Sequence, residues 1–393
     1  MREDPGTESI RAAFDEALPL TVGLEEELML LDPDTHSLAP VAREVLGDFE
    51  AAGGDPAFKL ELPASQLEIV TRPHQSVPDA VAALRRGRER LTEALEGRVR
   101  PAAAGVHPSA PGVGDLNSGA RYDRTAAEFG SLAGRQLVSS LQVHVPCGGA
   151  ERTLAVYNAL RAHLPEVAAL AANAPFYEGA DTGLASVRPK LCELLPRQGV
   201  PPPLESWEEY AAALRWGRRS GAFTDQASWW WELRPHPTFG TLELRVPDAQ
   251  TTTAEAAGVA AFAHCLVASL CDRFDAGERF ADPPGWRIAE NRWRAAREGV
   301  EGEMADLVTG DLSPTRSRLG KLADELGDVA ARLGCADELG AARRMIDQNG
   351  AIRQRKFAER SGIGALPGWL AERWLDQASV EAASVRTRDA DDM

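Results

Sequence analysis

The residues able to do chemistry stand on short segments that alternate apolar and polar positions. In Gly23-Leu24-Glu25-Glu26-Glu27 the outer two carboxylates, Glu25 and Glu27, lie two residues apart. On an extended strand both point to one side, a spacing suited to hard cations such as Mg²⁺. Three adjacent acids also suit a solvated face, but the apolar Leu28-Met29-Leu30-Leu31 that follows reads as a central strand. Charges are rare in such a place unless paired or metal-bound. Glu26 falls on the apolar side and is expected near a sheet edge. Gln142 and His144 share one face of Gln142-Val143-His144-Val145. A lone strand histidine is more often a hydrogen-bonded core residue than a ligand, so His144, like His107 in Gly-Val-His-Pro, gains interest only beside the acids. Glu61 and Glu68 flank Pro63, and that break keeps parity from deciding whether they face the same way. Read alone, they are surface-turn acids. In 231–245 two short strands meet at a Pro/Gly turn, with Glu243 and Arg245 side by side on the polar face. They are either a salt bridge or an acid for metal next to a guanidinium whose planar fork suits phosphate or carboxylate.

The elements that must position these groups follow from periodicity. Period-two alternation marks strands at 21–31, 136–146 and 241–246, and two short strands within 58–70 broken at Pro63. Each has one apolar face and one carrying acids, amides or cations, as in an antiparallel sheet packed on helices on one side and lining a polar cavity on the other. Helical spacing marks 78–96, 151–173 with a kink at Pro165, and 253–274, apolar nearly all round and therefore buried. Beyond 286 the chain reads as helical at 286–299, 315–333, 337–348, 350–360 and 366–380. Strands before helices, without βαβ alternation, give an α+β fold. A single catalytic domain is expected over 1–383, strand-rich at about 20–250 and helical at about 253–380, with a frayed tail at 384–393.

The formal net charge of −16 over 393 residues argues against a non-specific nucleic-acid binder. Five cysteines without a C-x-x-C pair indicate neither a disulfide framework nor a zinc ribbon, and reduced thiols in a cytoplasm are expected. The N-terminus lacks the features of a signal peptide. The apolar stretch Ala256–Cys271 is shorter than the roughly 20 residues of a membrane span. There is no P-loop, no dinucleotide fingerprint and no nucleophile elbow. A polar face with several carboxylates, one histidine and arginine suits metal and phosphate chemistry.

With these residues in view, TVGLEEE at 21–27, QLEIVT at 66–71, GVHP at 105–108, RYDRTAAEFG at 121–130 and SLQVHV at 140–145 resemble the carboxylate–amine ligase family. So do GADTGLASVRP at 179–189, ELRPHPTFGTLELRVPD at 232–248 and NRWRAAREG at 291–299. This is the second glutamate–cysteine ligase family of the glutamine-synthetase-like superfamily. The resemblance implies an open, curved antiparallel sheet whose concave face holds ATP, Mg²⁺ (or Mn²⁺) and the substrates, with helices on the other face. It implies that ATP phosphorylates a carboxylate, commonly the γ-carboxylate of glutamate, and that an amine attacks the acyl phosphate. Carried over residue by residue, metal roles fall on Glu25, Glu27, Glu61, Glu68, His144 and Glu243. The reacting groups would meet Arg245, Glu243 and His144, the substrates Arg188, Gln142 and Arg234, and the nucleotide Asn291, Arg292 and Arg245. Ala64 stands where some members carry a further acid, and Gln142 where some carry a second histidine. Cysteine need not be the acceptor amine, and a homodimer is compatible with the resemblance. A metal-dependent hydrolase using the same acids, or a silent protein that keeps the pocket, are the alternatives; the lack of an H-E-x-x-H cluster disfavours the first.

Overall fold

The structure is a computed structural model that describes residues 6–50, 57–223 and 228–376. Its main sheet is built from β1 (Gly23–Leu31), β2 (Ala57–Leu60), β3 (Gln66–Val70), β4 (Arg100–Ala102) and β5 (Leu141–Val145), joined later by β8 (Leu233–His236) and β9 (Thr241–Leu244). The order is β2-β3-β1-β5-β9-β8, antiparallel throughout. The first half of β1 pairs with β5 and its last residues with β4. Two hairpins stand apart, β6 (Phe176–Tyr177) with β7 (Ala180–Asp181), and β10 (Glu303–Ala305) with β11 (Leu312–Pro314).

Helices cover the apolar face, and two of them border the polar one. In chain order they are α1 (Thr7–Glu16), α2 (Ala42–Glu50), α3 (Val77–Leu95), α4 (Ala120–Phe129), α5 (Ala150–Arg161), α6 (Leu164–Leu170), α7 (Arg188–Cys192) and α8 (Trp207–Ser220). After the sheet come α9 (Thr253–Asp275), α10 (Gly285–Glu298), α11 (Thr315–Glu325), α12 (Gly327–Arg332), α13 (Ala336–Asp347), α14 (Gly350–Ser361) and α15 (Leu366–Glu372). Leu24, Leu28, Val143, Leu242 and Leu244 form one core with α9, whose Ala260, Phe262 and Leu266 are buried. A Thr252–Glu255 capping box starts α9 and satisfies its first free N–H groups. The fold is thus α+β, an open antiparallel sheet backed by helices.

Several sequence expectations need correction. Glu26 is on neither edge nor surface: it is fully buried in the central strand β1, opposite Arg88 of α3. Its Oε2 accepts from Arg88 Nε at 2.8 Å and its Oε1 from Nη2 at 2.5 Å. Arg88 also donates to the carbonyls of Gln250, Thr251 and Trp374, so all five guanidinium donors are used. The strand expected at 136–146 is regular only from Leu141, because residues 138 and 140 make isolated bridges to Val106 and Asp248 instead. Pro165, which has no N–H to give, sits in the first turn of a new helix that begins at Leu164 after α5. The helix expected at 315–333 is two, α11 and α12, and the one at 366–380 ends at Glu372. The expected tail lies outside the described residues. Among the described residues α9 is the one helix long and apolar enough to cross a membrane; 89% of its apolar window is buried, which makes it the core helix of this fold.

Candidate active site

The acids of the polar face assemble through a turn. Between β2 and β3 the chain reverses at 61–65, and Asn117 holds that reversal by donating from Nδ2 to the carbonyls of Glu61 (2.8 Å) and Pro63 (3.1 Å). Glu61 and Glu68 are thereby turned to the same side, where Glu27 arrives from β1 directly opposite Glu68. Neither is the surface-turn acid that the break at Pro63 suggests when read alone. One carboxylate oxygen from each of Glu27, Glu61 and Glu68 lies within 4.8 Å of the others. Burial, then the neighbouring carboxylates, push the Glu61 carboxyl up to about 7 and that of Glu68 well above its ordinary range. Burial also raises Glu27, against the pull of Arg245 and Arg188. Three acids that disfavour each other's charge this strongly need a shared cation or a proton.

The other three expected ligands do not join that cluster. Glu25, His144 and Glu243 stand on the adjacent strands β1, β5 and β9, with His144 directly opposite Glu243. His144 Nδ1 is hydrogen-bonded to Thr241 Oγ1 at 3.0 Å, while its Nε2 is buried without a hydrogen-bond partner, 3.7 Å from Glu25 Oε1. Burial alone would raise Glu25, but His144 and the Lys59 ammonium outweigh it and hold the carboxyl low. Lys59, which sequence reasoning passed over, lies 3.5 Å from Glu68 and 3.7 Å from Glu25. Glu243 is completely buried between Arg234 and Arg245, each at 2.5 Å, and these guanidinium groups outweigh its burial and hold it well below the usual carboxylate range.

These side chains are linked in series. Ser140 N–H donates to Glu27 Oε2 (2.7 Å), Gln142 Nε2 to Glu27 Oε1 (2.9 Å), and Arg245 Nη1 to both Gln142 Oε1 (2.7 Å) and Glu243 Oε1 (2.5 Å). Gln142 and Arg234 therefore orient the acids and Arg245, and neither lines the cavity in front of them.

That cavity is about 510 Å³, with Glu27 and Glu61 on its floor and Arg121, Arg124, Arg188, Arg197 and Arg245 among its walls. Arg188, expected at a substrate, starts α7 at the cavity's edge and is pinned: Nε donates to Asp248 Oδ1 at 2.8 Å, and Nη2 to the carbonyls of Arg245, Val246 and Pro247. This holds the segment that follows β9 and carries Arg245. Asn291, expected at the nucleotide, uses its Nδ2 and Oδ1 on the backbone of Ala305, and Arg292 grips the Glu232 carboxylate from Nε and Nη2 at 2.7–3.0 Å. Besides Lys59, sequence reasoning missed the cavity face of α4 as a set, although its RYDRTAAEFG segment was already singled out.

Would these residues fit a divalent cation? The donor set is all oxygen and imidazole nitrogen, the choice of Mg²⁺ and Mn²⁺. Two features point the same way: the mutually repelling trio and the orphaned buried Nε2 of His144. Glu27, Glu61 and Glu68 would hold one ion; Glu25 and His144, beside Glu243, offer a second position.

Residues 21–380 match glutamate-cysteine ligase family 2 (GCS2). The chain is 40% identical over 367 residues to the "Putative glutamate--cysteine ligase 2-3" of Rubrobacter xylanophilus, covering 91% of this chain and 98% of that protein. It is 35% identical over 355 residues to a protein of Frankia casuarinae named as form 2-1 of the same ligase, covering 89% and 93%. In fold it is similar to the glutamate–cysteine ligase of Francisella tularensis solved with AMP, with a TM-score of 0.63 over 90% of this chain and 88% of that one, at 13% identity. Match length and identity together settle the affiliation: the chain belongs to glutamate-cysteine ligase family 2.

Proposed function

We propose that the protein uses ATP to activate a carboxylate and join it to an amine, with the γ-carboxylate of glutamate as donor. The observation that carries this reading is the gathering of Glu27, Glu61 and Glu68, the first two on the floor of a cavity walled by arginines. A carboxylate oxygen of the donor attacks the γ-phosphorus of ATP and ADP leaves. The amine nitrogen then attacks the acyl carbon, inorganic phosphate leaves with that oxygen, and the nitrogen loses a proton. Such chemistry asks for positioning and charge neutralisation more than for a protein nucleophile. Divalent ions, Mg²⁺ or Mn²⁺, would neutralise phosphate and carboxylate charge beside the buried acids. Arg245, fixed by Glu243 and Gln142, presents a guanidinium to the transferring phosphoryl group, where charge must be stabilised in the transition state. Arg188 supports this reading as the residue that holds Arg245 in place. For Asn291 and Arg292 to meet the nucleotide, their bonds to Ala305 and Glu232 would have to exchange for bonds to it.

An amine panel that includes hydroxylamine, supplied with ATP, Mg²⁺ and glutamate, tests it through ADP release. We expect full turnover only when carboxylate and amine are both present. ADP release that ignores the amine, or nucleotide binding without any turnover, would overturn the ligase reading.

A further inference from the structure

The cavity is roofed on one side by α4, a helix with no buried residue, bounded by Gly119 (φ 129°) and Gly130 (φ 55°). Its Tyr122 hydroxyl donates to the Leu60 carbonyl at 2.8 Å, fixing the helix against the turn that positions Glu61. Arg121, Arg124, Thr125 and Glu128 recur at i, i+3, i+4 and i+7, the spacing of one helical face, and all four line the cavity.

The charges on this face differ from the other cationic groups of the site. Arg188 is engaged by Asp248 and Arg245 by Glu243, while Arg197 donates to the Ser228 carbonyl and lies over the rings of Phe223 and Trp230. Arg121 and Arg124 have no carboxylate partner within 4 Å among the described residues, although the chain carries a net charge of −16. Arg124 and Glu128, a turn apart, do not pair with each other either. Among the described residues, two guanidinium groups without a carboxylate partner and one carboxylate without a cationic partner within 4 Å thus face the cavity above the acidic floor. A ligand complementary to that face carries one carboxylate and one ammonium group, at the end opposite its reacting carboxylate.

We propose that α4 reads the amino-acid head of the donor: Arg121 and Arg124 take its α-carboxylate and Glu128 its α-ammonium, with the γ-carboxylate turned to the floor. The inference rests on the ligase reading and names the residues that select glutamate over simpler acids. Guanidinium–carboxylate pairs of this kind supply both strength and geometry.

Two analogues separate the contacts, because 4-aminobutyrate lacks the α-carboxylate and glutarate lacks the ammonium group. Dissociation constants for glutamate and both analogues are measured by titration calorimetry with Mg²⁺ and a non-hydrolysable ATP analogue. The wild type should bind glutamate at least about tenfold more tightly than either. In Arg121→Gln/Arg124→Gln the preference over 4-aminobutyrate should fall about tenfold to a hundredfold, and in Glu128→Gln the preference over glutarate should fall. With hydroxylamine as acceptor, the KM for glutamate should rise in both variants more than kcat falls. Unaltered preferences in both variants, with unaltered melting, would overturn the inference and leave the ligase reading standing. Correct binding preferences without ADP release would sink the ligase reading and keep the role of α4.

Discussion

Glu26→Ala costs about 3–5 kcal/mol of stability, because it strands the Arg88 guanidinium in the core without a counter-charge. Such a loss is a large share of the 5–15 kcal/mol that holds an ordinary domain together. Arg88 joins α3 to β1, to the 250–251 segment ahead of α9 and to Trp374, over whose ring its guanidinium carbon lies 4.1 Å away. The damage should therefore spread beyond one strand. Removing both partners with a Glu26→Met/Arg88→Met double variant should recover much of the loss, as apolar replacements of buried ion pairs often do. Urea midpoints and melting temperatures of the three proteins check this. An unchanged melting temperature in Glu26→Ala would show that the pair does not form.

Glu243→Gln should lower kcat for ADP release by about a hundredfold to a thousandfold. The carboxylate is completely buried, holds Arg245 from one oxygen and Arg234 from the other, and lies opposite His144. Glutamine keeps the shape and one acceptor oxygen but removes the charge that balances two guanidinium groups. Because Glu243 is buried between two arginines, melting should fall as well. Arg245→Lys is the sharper companion, because it keeps the charge on Glu243 and loses only the forked geometry. ADP release within twofold of wild type in Glu243→Gln would remove the residue from the account.

What the sequence reveals and what it hides divides along physical lines. Alternation in β1, β5 and β9 was legible because one face of each strand packs into the apolar core while the other carries the polar groups of the site, so period two is forced. It correctly separated Glu25 and Glu27 from Glu26, which share a strand but not a face. It failed on the fate of Glu26, since periodicity reports the side a residue faces and not the Arg88 that waits there, 62 positions away. Glu61 and Glu68 were opaque for a related reason. Their convergence on Glu27 depends on the turn held by Asn117, a contact across more than fifty residues. Arg188, Asn291 and Arg292 stand out as motif residues, yet motif membership does not distinguish a side chain that meets a ligand from one that braces the backbone. In the structure they bond to Asp248, Ala305 and Glu232, partners that motif membership does not name.

The central claim is that a carboxylate is activated by phosphorylation before an amine displaces the phosphate. It is tested most directly by glutamate carrying ¹⁸O in its γ-carboxylate, turned over with ATP, Mg²⁺ and hydroxylamine in unlabelled water. Mass spectrometry of the released inorganic phosphate should find one ¹⁸O transferred per amide formed, because the oxygen that attacks phosphorus leaves with it. Phosphate free of label, with ADP still released, would mean that water and not the carboxylate took the phosphoryl group, and would contradict the account.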